Sequence, residues 1–282
     1  MVTSRLKFAF LKGWSRIRKL VLGPHVVGIQ YKTDNGLILA PIDDVAIGKH
    51  LGFNGGWNVE EVNKLSALIS SEDVVYFLGA HIGTLVVPIA RKCQQVIAYE
   101  ANPDNFTFLN RNILINQLKS VRTFNLAVGD CKRDVSFYKN KINSGGSKIK
   151  PIKDNFIYNY DNPENIAVPM IDLDSHILSE NMPYPDCIIM DIEGAEFYAL
   201  KGMQVSIQHC KMLYMEYVPH HLSHVSSTSN KELMDLIIRN FTIVQFNTLK
   251  REINISTSTH ELMDLLDDLY NTGKSDDLLF LK

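Results

Sequence analysis

From about residue 73 the chain alternates short β-rich runs with segments of helical periodicity. This alternation is typical of a parallel sheet built from βαβ units, with helices on both faces. We therefore predict an α/β fold with a doubly wound, mostly parallel sheet. Strands are predicted at residues 74–78, 95–99, 121–128, 135–138, 187–192, 212–218, 242–246 and 278–281. Helices are predicted at residues 82–91, 103–116, 195–202, 231–240 and 260–270.

The size and composition of the chain are those of a folded globular protein. It has 282 residues, of which 45% are hydrophobic and 21% charged, and these values exclude disordered and fibrous classes. No uninterrupted apolar run reaches the roughly 18 residues that a membrane helix needs, and no small-residue cleavage site follows a clean apolar stretch at the N-terminus. We therefore expect a cytoplasmic protein whose four cysteines are reduced.

The first 33 residues differ in charge from the rest of the chain. They carry seven of the 29 Lys and Arg residues and no acid, which leaves 22 basic against 31 acidic residues elsewhere. Apolar residues recur there at the spacing of one helical face, at positions 6, 10, 14, 17 and 21. Three interpretations stay open: a helix packed on the domain with a solvated basic face, a membrane-associated helix that contacts an anionic surface through residues 5–22, and a targeting peptide. Nucleic-acid binding is disfavoured, because the acidic body has no basic patch with interleaved aromatic residues.

A glycine-containing turn follows the predicted strand at residues 74–78. Its sequence is Gly79-Ala80-His81-Ile82-Gly83. Glycine at a strand end lets the backbone turn sharply and lets a ligand approach closely, and a following helix offers its positive N-terminus to an anionic group. The Gly-x-x-x-Gly spacing differs from the Gly-x-Gly-x-x-Gly of dinucleotide-binding folds. Taken alone, the turn is equally compatible with a small-ligand site and with two structural glycines.

Acidic residues follow two of the predicted strands. Glu100 comes 17 residues after Gly83, at a strand end where a carboxylate can accept hydrogen bonds from two ribose hydroxyls or simply be exposed. Asp191 and Glu193 follow a later apolar run, while Glu196 falls in the first turn of a helix, where an acid suits the helix dipole. Since open α/β sheets bind ligands outside the carboxyl ends of their strands, these acids predict a site at that edge.

A histidine cluster follows the predicted strand at residues 212–218. His220 and His224 are four residues apart and would share a helix face, as two metal ligands could. Because a third ligand is missing from the pattern, we predict no metal site. His220 is a candidate acid or base toward a substrate, and the alternative is a solvated loop histidine.

Taken together, the motifs resemble those of a known enzyme family. The run at residues 74–83 resembles the strand-and-glycine motif of class I S-adenosylmethionine-dependent methyltransferases, and residues 99–103 and 126–130 are similar to the second and third cofactor motifs of that fold. The segment Asp191-Ile192-Glu193-Gly194-Ala195-Glu196, followed by Leu200-Lys201-Gly202, is similar to a segment of the FkbM-type methyltransferases. Many of these are O-methyltransferases that act on hydroxyls of sugars and secondary metabolites.

The resemblance implies a domain organisation and a set of site residues. A Rossmann-like class I methyltransferase sheet of about seven strands would occupy residues 58–282, after a basic amphipathic, helical extension at residues 1–57. The implied S-adenosylmethionine-binding residues are Gly79, Ala80, His81, Gly83, Glu100, Ala101, Ala127 and Val128. Asp191 and Glu193 would lie near the transferring methyl group, one of them as the base, with His220 in reserve. Acceptor specificity is expected in the N-terminal segment and in the loops at residues 140–165 and 219–230.

Three positions depart from the family pattern. Phe77 stands where the family usually has an Asp that helps to hold the ammonium group of the cofactor, His81 replaces an Asn, and Met190 replaces a Lys. The function predicted first is methyl transfer from S-adenosylmethionine to a hydroxyl of a small-molecule or glycan acceptor, namely a sugar, glycolipid or secondary metabolite. The alternative, suggested by Phe77, is a non-catalytic protein of the same fold that acts as a binding or partner subunit. An NAD-binding oxidoreductase is disfavoured by the glycine spacing.

Overall fold

The computed structural model describes residues 13–153, 155–159 and 162–282. The strands are β1 (Gly28–Thr33), β2 (Gly36–Pro41), β3 (Val74–Leu78), β4 (Gln95–Tyr99), β5 (Val121–Phe124), β6 (Ala127–Gly129), β7 (Arg133–Lys139), β8 (Lys148–Ile149), β9 (Glu164–Asp172), β10 (Cys187–Met190), β11 (Met212–Tyr217), β12 (Ile243–Phe246), β13 (Arg251–Asn254) and β14 (Asp276–Leu281). Residues 13–22 form helix α1. The further α-helices are α2 (Val45–Asn54), α3 (Val59–Leu68), α4 (Val86–Ile89), α5 (Pro103–Ile115), α6 (Phe156–Asn159), α7 (Leu173–Ser179), α8 (Glu196–Lys201), α9 (Ser206–His209), α10 (Pro219–His221), α11 (Asn230–Asp235) and α12 (Ile255–Thr272).

Within this described part of the chain, eight strands form the central sheet, in the order β13-β12-β14-β11-β10-β3-β4-β5. Five neighbouring strands of this sheet, β5, β4, β3, β10 and β11, are parallel to one another. Strand β14 is inserted between β11 and β12 and is antiparallel to both. The chain builds the sheet outward from β3 in one direction and from β10 in the other. The strand order therefore reverses between β3 and β10, and such a reversal opens a crevice at the carboxyl ends of the strands.

The central strands are buried on both faces, which explains why they read as continuous apolar runs. In β3, Tyr76 and Leu78 belong to the hydrophobic cluster on one side of the sheet, and Val75 and Phe77 belong to the cluster on the other side. These interiors, together with the parallel β3-β4-β5 and β10-β11 pairings, confirm the predicted doubly wound α/β class.

The predicted strand at residues 121–128 is in fact divided between two sheets. Its first part is β5, and its second part is β6, which pairs in parallel with β9 in a four-stranded sheet of order β6-β9-β7-β8. The side-chain amide of Asn125 donates to the backbone carbonyls of Glu100 and Ala101, 2.8 and 3.2 Å away, and so fixes the bend between the two strands. Strand β9 was not predicted, because it is half exposed and contains Pro169.

The predicted helix at residues 82–91 is also shorter than expected. Its helical part is α4, four residues long. The backbone at His81 and Gly83 has φ values of 51° and 90°, which keep this turn out of the right-handed helical region.

The segment before residue 58 is only partly the helical extension that was expected. Strands β1 and β2 form an antiparallel hairpin that the sequence patterns did not predict. Side chains of β2 and α2, including Ile38 and Ile47, share a hydrophobic cluster with Ile82 and Val87 of the following domain. The predicted apolar positions 6 and 10 lie outside the described residues. No helix in the described ranges is both long and apolar enough to cross a bilayer.

Candidate active site

A cavity of about 460 Å³ lies along the carboxyl ends of the central strands. Its lining includes Gly79 after β3, Glu100 after β4, Asp191 after β10 and Glu216 within β11. These strands flank the point where the strand order reverses, which is where doubly wound sheets bind their ligands. The volume is in the range of small-molecule sites. This cavity is therefore the candidate active site.

Gly79 is required by the backbone of a neighbouring strand end. Its φ is 87°, and an ideal Cβ atom built on it would lie 1.8 Å from the carbonyl oxygen of Asp191. The amides of Gly79 and Ala80 both donate to the carbonyl of Tyr99, at 3.0 and 2.9 Å. The turn after β3 is thus held between β10 on one side and β4 on the other, and the glycine is needed for that contact before any ligand is considered.

Glu100 joins the two turns that border the cavity. Its carboxylate accepts the backbone amide of His81 at 2.7 Å and the backbone amide of Asn102, the N-cap of α5, at 2.8 Å. Burial raises the pKa of Glu100 to about 7, although both backbone hydrogen bonds oppose this shift. Because each carboxylate oxygen can accept more than one hydrogen bond, Glu100 retains acceptor capacity toward the cavity.

His81 is held by a chain of hydrogen bonds from α2. Asp44, the buried N-cap of α2, accepts the amide and the hydroxyl of Ser144 at 2.8 and 2.6 Å. Since the Ser144 proton is directed to Asp44, its oxygen is the acceptor for Nε2 of His81, 2.7 Å away, and we assign the proton to that nitrogen. Burial lowers the pKa of His81 to about 4, against the attraction of Glu193. The imidazole is therefore neutral at neutral pH, with Nδ1 as its acceptor.

Asp191 presents a free carboxylate to the cavity. Its side chain is exposed within the crevice, and no described residue donates a hydrogen bond to it; its backbone amide donates to Leu78 at 3.0 Å. Desolvation within the crevice raises the pKa of Asp191 well above its ordinary value, and repulsion from Glu193 and Glu196 raises it further. An unpaired carboxylate with a raised pKa is suited to accept a proton from a bound ligand.

Glu193 has a different role, because its charge is compensated by a lysine. The Nζ atom of Lys148, on β8, lies 2.7 Å from Glu193 and 3.3 Å from Nε2 of His221. Lys148 is buried, and its ammonium group also lies 5.2 Å from the ring centre of Tyr158. Burial and the positive charge of Lys148 lower the pKa of His221 to about 2, so this histidine is neutral. Glu193 therefore anchors β8 to the turn after β10.

Glu193 and His221, together with Glu216, form the one potential metal-ligand group found among the described residues. Ligand atoms of Glu193, Glu216 and His221 lie within 4.8 Å of one another. Lys148 contacts two of these three residues and supplies the positive charge that a metal ion would otherwise bring. The earlier pair, His220 and His224, is not part of this group, and Nδ1 of His224 lies 2.9 Å from the carbonyl oxygen of His220.

The end of the cavity beside β11 and β14 is acidic. Glu61 from α3, Glu216 from β11 and Asp277 from β14 line it together with Tyr214, which is 4% exposed. Burial, then repulsion from Asp277, raises the pKa of Glu61 to about 7, and burial and Asp191 raise the pKa of Glu216. Lys and Arg are absent from the described residues that line the cavity. This end of the cavity therefore favours a ligand that carries positive charge.

The structure brings most of the predicted site residues together. Those that line the cavity are Gly79, Ala80, His81, Glu100, Ala101, Ala127, Val128, Asp191 and Glu193. Gly83 does not line the cavity. A Cβ atom on Gly83 would lie 2.8 Å from Leu109 of α5, so this glycine is needed for packing against α5. His220 does not line the cavity either, because its ring packs beside Tyr158 and His221.

Sequence reasoning missed several residues of the site. These are Asp44, Glu61, Ser144, Lys148 and Tyr214. The small polar run at residues 144–147, inside the loop predicted to carry specificity, was a signal for Ser144. Asp44, Glu61 and Lys148 come from elements that precede or interrupt the βα pattern, and Tyr214 lies within the apolar strand β11. Nothing in the local sequence of these four residues marks them.

The fold and the cavity define a doubly wound α/β protein with a candidate small-molecule site at its switch point. Comparison with known proteins identifies the class: the sequence model described as "Methyltransferase FkbM domain" matches residues 78–269, and the chain belongs to this family. The predicted family is thereby confirmed, and with it methyltransferase as the class of protein. Membership of a methyltransferase family also supports the predicted cofactor, S-adenosylmethionine.

One curated relative and two solved structures illustrate the similarity. The chain is 26% identical over 145 residues to the hexuronic acid methyltransferase AglP of Haloferax volcanii, a match that spans 51% of this chain and 56% of that protein. It is 18% identical to the FkbM methyltransferase of Methylobacillus flagellatus, with a TM-score of 0.45, over 75% of this chain and 44% of the other. It is 14% identical to TYW2 of M. jannaschii, whose structure contains AdoMet, with a TM-score of 0.43, over 90% and 85% of the two chains. The chain thus spans about half the length of the curated relative that it matches.

Proposed function

We propose that this protein transfers a methyl group from S-adenosylmethionine to a hydroxyl group of a small molecule or glycan. The observation that carries the proposal is the unpaired carboxylate of Asp191, which faces the same cavity as Glu100. We assign Glu100 to hold the ribose and Asp191 to accept the proton. Membership of the methyltransferase family supports the reaction class.

The cavity wall fits the cofactor. The carboxylate of Glu100 keeps acceptor capacity for ribose hydroxyls, and the small side chains of Ala101 and Ala127 leave room for a flat base next to it. When bound, S-adenosylmethionine supplies a methyl group activated by a sulfonium centre. Its positive charge suits the acidic lining, since the field of several carboxylates concentrates cations.

Glu61 compensates in part for the carboxylate that is lost at Phe77. Phe77 is in register with Ile189 of β10, which is in register with Tyr214 of β11, so these three residues form one row across the sheet. Glu61 on α3 interacts with Tyr214 and lines the cavity with Phe77. We assign to Glu61 the acidic group that this wall of the cavity would otherwise lack, and a bound cation would favour its charged form.

Asp191 is the residue that we assign as the base. Methyl transfer to a hydroxyl is an in-line displacement, so the protein has to align the reactants and remove one proton. Asp191 is unpaired and its raised pKa favours proton uptake, whereas the charge of Glu193 is compensated by Lys148. His220 does not line the cavity and is not assigned a role in proton transfer.

The charge of the cavity also bears on the acceptor. A sugar, glycolipid or secondary metabolite that carries a carboxylate would be repelled by Asp191, Glu216 and Asp277, and the described lining residues offer it no Lys or Arg. We therefore propose a neutral or amine-bearing hydroxyl compound. In this respect the protein would differ from its relative that methylates hexuronic acid.

A second candidate is a non-catalytic protein of the same fold that binds a ligand or a partner. The observation that favours it is Phe77, an apolar side chain that lines the cavity where the family usually has an acid. Under this alternative the acidic cavity would still bind a cation. The two candidates differ in whether product forms.

The test is a methyl-transfer assay with radiolabelled S-adenosylmethionine and three matched acceptors: glucose, glucosamine and glucuronic acid. The proposal predicts label in glucose or glucosamine and less in glucuronic acid, together with loss of label in Asp191→Asn. Transfer that is fastest to glucuronic acid would contradict the proposed acceptor class. Cofactor binding without transfer to these acceptors or to a wider panel of neutral and amine-bearing alcohols would favour the non-catalytic candidate.

A further inference from the structure

Helix α1 rests on the domain through its polar side. The hydroxyl of Ser15 donates to Asp43 at 3.1 Å, and Nζ of Lys19 lies 2.7 Å from the same carboxylate. The guanidinium of Arg18 donates to the hydroxyl of Tyr31 at 3.0 Å. Ser15 is buried in this contact. The side of the helix that water usually solvates is therefore the side that packs.

The opposite side of α1 is apolar and exposed. The exposed fractions are 45% for Trp14, 49% for Ile17, 84% for Leu20 and 74% for Val21. With about 100° between successive residues, these four side chains occupy one continuous arc of the helix, away from Ser15 and Lys19. The described residues leave this arc uncovered. The interpretation of α1 as a helix packed on the domain is thus confirmed for residues 13–22, but its solvated basic face is not, because Arg18 and Lys19 make the contact and the apolar side is exposed.

The charge of the surrounding sequence indicates what the apolar arc contacts. Residues 1–33 contain no acid, and Arg16 is exposed beside the arc, while the rest of the chain is acidic. A second copy that packs on this face through its own α1 would bring two basic segments together. An anionic lipid surface offers both an apolar interior for the arc and negative charge for the basic residues.

We propose that α1 docks the protein on an anionic membrane surface, with Trp14, Ile17, Leu20 and Val21 inserted at the headgroup boundary. The polar contacts to Asp43 and Tyr31 keep the helix on the domain, so that the domain follows it to the surface. This interaction is independent of the proposed methyl transfer. It would bring the cavity to acceptors that are themselves at the membrane.

The test is co-flotation with lipid vesicles of phosphatidylcholine, with and without phosphatidylglycerol. The full chain should float with the anionic vesicles and much less with the neutral ones, and added salt should weaken binding. Leu20→Asp should lower the partition coefficient about tenfold or more, because a leucine that would insert into the membrane is lost and a negative charge is added. Leu178→Asp, at a leucine on α7 that is 70% exposed, is the matched control and should float as the parent does.

Each other outcome contradicts the proposal. If the parent does not float with anionic vesicles, or if Leu20→Asp floats as well as the parent, then α1 does not bind lipid. Equal flotation with neutral and anionic vesicles would show that the basic residues do not contribute to binding, and would contradict docking on an anionic surface. A concentration-dependent dimer in sedimentation, abolished by Leu20→Asp in a protein that binds no vesicles, would show that the arc is an interface between copies. Because Leu20 is exposed, the substitution should not unfold the protein, and a thermal melt checks this.

Discussion

The carbonyl oxygen of Asp191 occupies the space that a Cβ atom at residue 79 would need: an ideal Cβ on Gly79 would lie 1.8 Å from it. This close approach joins the ends of β3 and β10 at the strand reversal. Packing within the protein therefore requires glycine at position 79, whether or not a ligand is bound. A side chain at this position would separate the two strand ends that border the cavity.

Gly79→Ala should therefore destabilise the fold by more than the strain of a positive φ alone, because the added Cβ atom would also clash with the carbonyl of Asp191. The matched control is Gly273→Ala, since Gly273 also has positive φ but has nothing within 4 Å of a Cβ atom. We expect a loss of about 1 kcal/mol for the control and about 2–5 kcal/mol for Gly79→Ala. Denaturant unfolding measures both values, and equal losses would contradict the clash with Asp191.

Glu100→Ala should reduce both cofactor affinity and stability. The substitution removes the acceptor for the ribose and leaves the backbone amides of His81 and Asn102 without their partner. We expect a loss of about 1–3 kcal/mol in each quantity. Calorimetric titration and denaturant unfolding measure them, with Glu60→Ala, an exposed acid on α3, as the control. Unchanged affinity in a destabilised protein would mean that Glu100 is structural alone.

His81→Asn should change how stability depends on pH. The pKa of His81 falls to about 4 on folding from an unfolded value near 6.5, so between these values the unfolded chain binds the extra proton. The contribution of His81 to the free energy of unfolding is thus fully present above about pH 6.5. It is lost as the pH falls toward 4, by about 3 kcal/mol in total. Asparagine tolerates the positive φ of this residue and does not titrate. Unfolding curves across this pH range should be flatter in the variant, and identical slopes would contradict the buried neutral histidine.

Asp191→Asn and Glu193→Gln should separate catalysis from stability. Asp191 is unpaired, so its replacement should lower turnover about 100-fold with little change in cofactor affinity or melting temperature. Glu193 is paired with Lys148, so its replacement should cost about 2 kcal/mol of stability. Single-turnover assays and unfolding measurements on the same preparations test both. A melting temperature that falls in Asp191→Asn, with activity reduced only in proportion, would make Asp191 a structural residue.

Much of the fold was predictable, because β3, β4, β10 and β11 are buried on both faces and leave continuous apolar runs in the sequence. The β1–β2 hairpin and β9 were not, since their partly exposed strands have mixed composition and their pairing depends on distant segments. The break after β5 depends on a contact of Asn125 with the turn after β4, which no local pattern records.

The site was predictable where it is built from strand ends. Gly79, Glu100 and Asp191 follow strands whose carboxyl ends must meet at one edge of the sheet. Ser144 reaches the same cavity from an irregular loop, Lys148 on β8 contacts the lining residue Glu193, and Glu61 lines the cavity from α3, so their positions depend on tertiary packing. For the same reason the sequence could not separate Asp191 from Glu193, since the difference between them is the buried lysine.

The most direct test of the account is a calorimetric titration of the full chain with S-adenosylmethionine and S-adenosylhomocysteine, with NAD as the control ligand. We predict saturable binding of the first two ligands at one site, no binding of NAD, and weaker binding of both cofactor forms by Glu100→Ala. Absence of binding by the folded parent protein, or binding that Glu100→Ala leaves unchanged, would contradict the assignment of this cavity as a methyltransferase cofactor site.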